Sequence, residues 1–193
     1  ALMTGLNRQW IADALLEGQA VVADSPILPL SWAYYDAIEH IGFDPEIAVN
    51  ELKNAGYVLS AEGAVRSKDN VTLSFTMVHP DDPIHTQIAQ TIQQNWSAIG
   101  VEVKLQAVSY ESLFNDHLIP RTYQAALVDL DLTRSYDPDP YPFWHQAEIT
   151  GGQNYSQWDN RTASEYLEQA RVIADPNIRA RLYRNFQVIF ARD

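Results

Sequence analysis

Residues 71–108 constrain the fold more than any other stretch. VTLSFTMV alternates apolar and polar residues. After Asp82-Pro83 the residues Ile84, Ile88, Ile92, Trp96 and Ile99 recur at spacings of four and three, and after Gly100 the run VEVKLQAV alternates again. A period of two, then 3.6, then two reads as strand, helix, strand. Joints this short call for a right-handed crossover and a parallel pair. Upstream, VRSK and VTLSFTMV flank Asp69-Asn70, two residues that tolerate positive φ, so an antiparallel hairpin is expected at the edge.

The remaining segments supply helices. Leu2, Leu6, Trp10 and Leu15 fall near one face, with Gly18 as a stop. Asp44-Pro45-Glu46 opens a second helix that Gly56 ends, and a short helix is expected near Tyr110–Asp116. QAALVDLDL has an apolar start suited to a central strand. Thr162-Ala163-Ser164-Glu165 reads as a capping box, and Asp175-Pro176 starts a last helix with Ile178, Leu182, Phe186 and Ile189 inward. The expected class is therefore α/β, a mixed sheet flanked by helices. Its 193 residues suit a single domain, 1–193.

A formal net charge of −12 argues against nucleic acid as a partner, because phosphate binding relies on clustered Lys and Arg. The chain has no cysteine, which excludes disulfides and thiolate metal sites. No apolar run approaches the roughly 18–20 residues that span a bilayer. The chain lacks Met at position 1, begins within one amphipathic pattern and ends within another at QVIFARD, as expected of an excised fragment.

Residues 136–160, YDPDPYPFWHQAEITGGQNYSQWDN, hold three prolines, two spaced aspartates, six aromatic rings and Gly-Gly. Such a segment is a loop, and its rings either cover the chain's own core or form a surface for a ligand. Its place after QAALVDLDL favours the ligand-facing reading, since ligands of α/β sheets sit beyond the carboxyl ends of parallel strands. Asp137 and Asp139 invite a glycosidase reading, but prolines fix both on one short loop, whereas hydrolysis needs carboxyl groups facing each other across a bond. With Glu148 the two mimic a calcium loop, yet Pro142 stands where the turn needs Gly. Either aspartate is equally suited to cap a turn. His145, like His40, His79, His85 and His117, shows no paired metal spacing and no nucleophile triad. Tyr136, Trp144, Tyr155 and Trp158 are each as well suited to a core, but four in one loop point to a binding wall.

Taken in order, LNRQWIADALLEGQA, SPILPLSWAY, DPEIAVNELKNAGY, IAQTIQQNWSAIGVEVKLQAV, DPDPYPFWH, GGQNYSQWDN and LYRNFQVIFARD resemble the C-terminal lobe of the family 5 solute-binding proteins of ABC importers, the oligopeptide- and dipeptide-binding type. The resemblance implies one lobe of a two-lobed, clamshell (type II) periplasmic-binding-protein-like fold. It implies no catalysis and no cofactor. The implied partners are an oligopeptide, the permease subunits of the importer and a missing N-terminal lobe. The implied location is extracytoplasmic, with a lipid anchor in the full-length protein. It places Asp137 as the acceptor of a peptide's ammonium, with Asp139 and Asp131 beside it and Leu130, Tyr136, Trp144, Asn154 and Tyr155 as further ligand contacts. One departure stands out: Asp129-Leu130 occupies the place where relatives often carry Gly-Trp. An oligosaccharide is the second choice of solute. The competing class is a carbohydrate-active hydrolase using Asp137, Asp139 and Glu148.

Overall fold

The computed structural model describes residues 1–59, 63–132 and 136–193. Two compact units emerge within the expected lobe: residues 1–22 with 41–129, and residues 23–40 with 130–193.

The first unit is built on the strand–helix–strand segment. Strand β4 (Ser74–Pro80), helix α3 (Pro83–Ala98) and strand β5 (Glu102–Val108) follow one another, and β4 and β5 pair in parallel from Ser74↔Glu102 to Pro80↔Val108. Asp82 caps α3 by accepting from the Ile84 and His85 amides. Gly100 ends the turn with φ +86, and a Cβ there would lie 2.9 Å from the buried Arg66 side chain, so glycine is required on both counts. Arg66 in turn donates from Nε to the Ile99 carbonyl at 2.7 Å.

The hairpin forms as expected. β2 (Arg66–Lys68) and β3 (Val71–Thr72) are antiparallel in the register Lys68↔Val71, with Asp69 and Asn70 at φ 51 and 62. The run VTLSFTMV is split, however. Leu73 donates to Arg66 on one side and accepts from Glu102 on the other, so the chain leaves one ladder and enters the next at that residue. Antiparallel and parallel pairings thus occupy two three-stranded sheets, ordered β1-β2-β3, where β1 is Val58–Leu59, and β5-β4-β6. In the second, β6 (Ala125–Ala126) is short and lies at the outside, pairing among the described residues with β4 alone. The central position expected for QAALVDLDL belongs to β4, because His79 and its neighbours are buried on both faces whereas β6 is half-buried.

Helix α1 (Arg8–Trp10) runs on as a π-wound turn, Ile11–Leu15. The helix starts only at Arg8, after the non-helical cap Asn7, so the expected stripe is broken between Leu6 and Trp10. Leu2, Leu6 and Ile11 meet the core, Ala12 is buried and Trp10 turns outward. Helix α2 (Pro45–Asn54), capped by Asp44, presses Ala48 and Leu52 onto the same core as Met77, Ile92, Val101 and Val103. Helix α4 (Tyr110–Ser112) follows β5 directly.

The second unit is helical. The short α5 (Tyr141–Trp144), α6 (Arg161–Val172) and α7 (Pro176–Phe190) enclose Leu167, Ala170, Tyr183 and Phe186, with Ile27 and Ala33 from the proline-rich segment. The expected capping box of α6 is corrected: Asn160 is the cap, accepting from the Ala163 amide at 3.0 Å, while Glu165 pairs with Arg161. Buried Gln187 fastens the segment 23–40. Its Nε2 donates to the Ala33 carbonyl, and its Oε1 accepts from Ser25 Oγ and the Tyr35 amide. The two ends of that segment are joined by His40 and Asp24, 2.7 Å apart.

Candidate functional site

Three parallel strands end on the same side of their sheet, and each is followed within a few residues by a polar group. Asp82 and His85 follow β4, Tyr110 follows β5 and Asp129 follows β6. The fold brings all four together. His85 Nδ1 lies 2.7 Å from Asp82 Oδ2, and Nε2 lies 3.1 Å from Asp129 Oδ1. The Tyr110 hydroxyl donates to Asp129 Oδ2 at 2.8 Å, with its ring edge-on to the imidazole. Carboxylates only accept, so both contacts are hydrogen bonds only when the imidazole carries both protons.

The charges respond accordingly. Burial alone would push His85 down, but its hydrogen bonds to Asp129 and Asp82 outweigh it and hold the imidazole above its ordinary value. Burial would push Asp82 up, but hydrogen bonds from His85 and the α3 amides bring it below the usual carboxylate range. Tyr110 is pushed up to about 12, by burial first and then by Asp129. Two carboxylates and one imidazolium leave one net negative charge, and Asp129 is 62% exposed. Sequence reasoning missed this cluster, since its members are spread over 48 positions. The usable signal was positional: each follows the carboxyl end of an expected parallel strand.

In the second unit the loop 136–160 takes a different part. Both Asp137 oxygens face Arg179, at 2.8 and 2.7 Å, and Tyr183 reaches the same carboxylate. Asp139 accepts from the Tyr141 amide and from Arg171 Nε at 2.7 Å. Each guanidinium also lies over an aromatic ring: Arg171 over Tyr141 at 3.8 Å, Arg179 over Trp32 at 5.3 Å. Burial opposes the charge of Arg179, but its hydrogen bonds and charge interactions with Asp137 and Tyr183 together outweigh it and raise its pKa. Tyr183 is pushed up to about 12 by burial and then by the charges of Asp139 and Asp137. The two aspartates therefore tie the loop to α6 and α7.

Most of the loop's rings cover the unit's own core. Trp144 and Trp158 pack edge-on against Phe190, at 4.6 and 5.5 Å. Asn154 is fully buried and donates to the His145 and Trp158 carbonyls. His145 is buried too. Its Nδ1 accepts from the Ala147 amide, which leaves the proton on Nε2, facing Glu168 at 3.0 Å. Leu130, Tyr155 and Glu148 are half-buried, Asp131 is exposed, and Tyr136 stands wholly in solvent. Among the described residues no group of three or more His, Asp or Glu is arranged to hold a metal ion. Nor is any described helix long and apolar enough to cross a membrane.

The model of the bacterial extracellular solute-binding proteins, family 5 Middle, matches residues 1–155. The chain belongs to that family. It is 28% identical to the oligopeptide-binding protein AppA of Bacillus subtilis over 196 residues, covering 100% of this chain and 36% of that protein. It is also 28% identical to the dipeptide-binding protein of Escherichia coli, covering 98% of this chain and 34% of that one. The chain thus spans about a third of the length of the curated relatives it matches. The solved structure of AppA in complex with a nonapeptide superimposes with a TM-score of 0.89 at 28% identity, over 98% of this chain and 38% of the other. The α/β architecture is that of one part of a periplasmic oligopeptide-binding protein, as the motifs of the family 5 proteins implied.

Proposed function

We propose that this chain is one lobe of an extracytoplasmic receptor that binds an oligopeptide, without turnover, and delivers it to the permease of an ABC importer. Membership of the family and the peptide-binding names of its relatives support the reading. Lipid anchoring and a second lobe belong to the same proposal. The observation that carries the site is a difference in residual charge. Asp137 and Asp139 each face an arginine, whereas the Asp82–His85–Asp129 cluster keeps one net negative charge on an exposed carboxylate.

Asp129 therefore meets the ammonium group of the peptide through a charge-assisted hydrogen bond. Asp137 and Asp139 serve as struts for the loop. Leu130, Asp131, Tyr136 and Tyr155 are proposed as further solute contacts, while Trp144 and Asn154 serve the second unit's own core. One lobe supplies only part of a clamshell's contacts and little of its water exclusion, so this chain alone binds weakly. Calorimetric titration of the 193-residue chain with oligopeptides and oligosaccharides tests the reading. Weak binding of peptides with a free amino terminus, lost on acetylation, is the expected result. Preference for oligosaccharides, or release of cleaved product, would overturn it.

A further inference from the structure

The groups that face the His85 ring come from three elements: Asp82 at the start of α3, Tyr110 at the start of α4 and Asp129 beyond β6. The two carboxylate contacts are unequal. Asp82 is at 2.7 Å and is itself fixed, because its other oxygen accepts from the Ile84 and His85 amides. Asp129 is at 3.1 Å, is mostly exposed and keeps a second donor in Tyr110. When the imidazolium gives up one proton, the remaining one stays on Nδ1, toward the shorter and better anchored contact. Nε2 then turns a lone pair toward an Asp129 oxygen that also carries lone pairs, and attraction becomes repulsion.

We propose that His85 is a proton-operated latch on Asp129: protonated, it ties the segment after β6 to the start of α3, and deprotonated, it releases it. The consequences are two. The net charge at the carboxyl edge of the sheet goes from one negative to two, and the carboxylate that was held in place is left with Tyr110 alone. All four groups, Asp129 included, belong to the first unit, so the latch is internal to it. If Asp129 meets the solute, as read above, the external pH sets whether it is presented in a fixed position. That consequence rests on the proposed function, whereas the latch does not.

Nitrogen-15 NMR of the histidine rings in the solute-free 193-residue chain tests the latch by itself. Below the midpoint both His85 nitrogens should be protonated. The midpoint should lie above 6.5, and above it the ring should hold its proton on Nδ1, the tautomer that free imidazole disfavours. Asp129→Asn should move the midpoint down and keep the Nδ1 form, which Asp82 holds, whereas Asp82→Asn should abolish that preference; Tyr110→Phe keeps the Nδ1 form. A second readout is the Leu127 amide, which donates to Val78 at the end of β6. Its protection from hydrogen exchange, corrected for pH, should fall severalfold through the same midpoint, and should be low and flat in His85→Gln. A midpoint at or below 6.5, an Nε2–H tautomer, or flat protection in the unmodified chain would each overturn the latch. Those results leave peptide binding untouched. Absence of peptide binding with a normal His85 titration would fail only the functional reading.

Discussion

Four residues from three elements meet at the carboxyl edge of the parallel sheet, and in the acidic loop two arginines each face an aspartate. Asp137 and Arg179 form a partly exposed pair, with Asp137 42% accessible, so its coupling is screened by solvent. A double-mutant cycle of Asp137→Ala and Arg179→Ala should give a coupling of about 0.5–1 kcal/mol in urea denaturation. A coupling near zero would remove the strut. Tyr110 and Tyr183 share a different signature, each pushed up to about 12 and so ionising well above free tyrosine. In an alkaline spectrophotometric titration of the folded chain Tyr110 and Tyr183 should ionise late, near pH 12, and Tyr110→Phe should reduce that late phenolate signal. At this scale local signals were readable and distant ones were not. Asp82-Pro83 and Asp69-Asn70 announce their turns because the chemistry lies within three residues. His85 and Asp129 lie 44 positions apart, and only the parallel register brings them together. For Asp137 the family resemblance pointed to a ligand's ammonium, while its pairing with Arg179, 42 residues away, could not be read from the sequence.

Elements whose hydrophobic period was clear appear close to where the sequence places them: α2, α3, α7, β5 and the β2–β3 hairpin. Those that went astray did so for identifiable reasons. The stripe of the first helix assumes one continuous helix from Leu2, but the helix starts only at Arg8 behind the non-helical cap Asn7, so Trp10 does not share the face of Leu2 and Leu6. VTLSFTMV reads as one strand because alternation does not report which partner a strand has, and Leu73 changes partner. At α6 two cap signals compete within two residues. Asn160 wins because its side-chain oxygen reaches the Ala163 amide, so Asn160→Ala should cost about 1 kcal/mol and Glu165→Ala less than about 0.5, by thermal or urea unfolding. The reverse order would reinstate the capping box. Gln187 illustrates a buried polar residue that periodicity assigns to a helix but not to a role. Gln187→Leu should cost about 3 kcal/mol, since the Tyr35 amide and the Ala33 carbonyl lose this partner, while Ser25 keeps Ile27. A cost below about 1 kcal/mol would show that the segment 23–40 is held by Ile27 and Ala33 instead.

For the whole chain, the cluster at the sheet edge makes stability depend on pH in a defined direction. His85 is held above its ordinary 6.5, so its contribution is fully present below that value and is lost as pH rises through the folded midpoint. Asp82 is held below 3.8, so its contribution is present above 3.8 and is lost as pH falls through its folded value. The stability difference between the chain and His85→Gln, measured by urea denaturation, should therefore be largest between about pH 4 and 6.5 and shrink on either side. A difference that grows as pH rises would contradict the sign. The functional claim rests on which carboxylate faces the solute. It is tested most directly by titrating Asp129→Asn and Asp137→Asn chains with a free-amino-terminus oligopeptide, followed by amide shifts in NMR. Asp129→Asn should weaken binding about tenfold, and Asp137→Asn should leave it within about twofold. Loss of binding on Asp137→Asn with Asp129→Asn unchanged would return the ammonium site to the acidic loop and contradict the account.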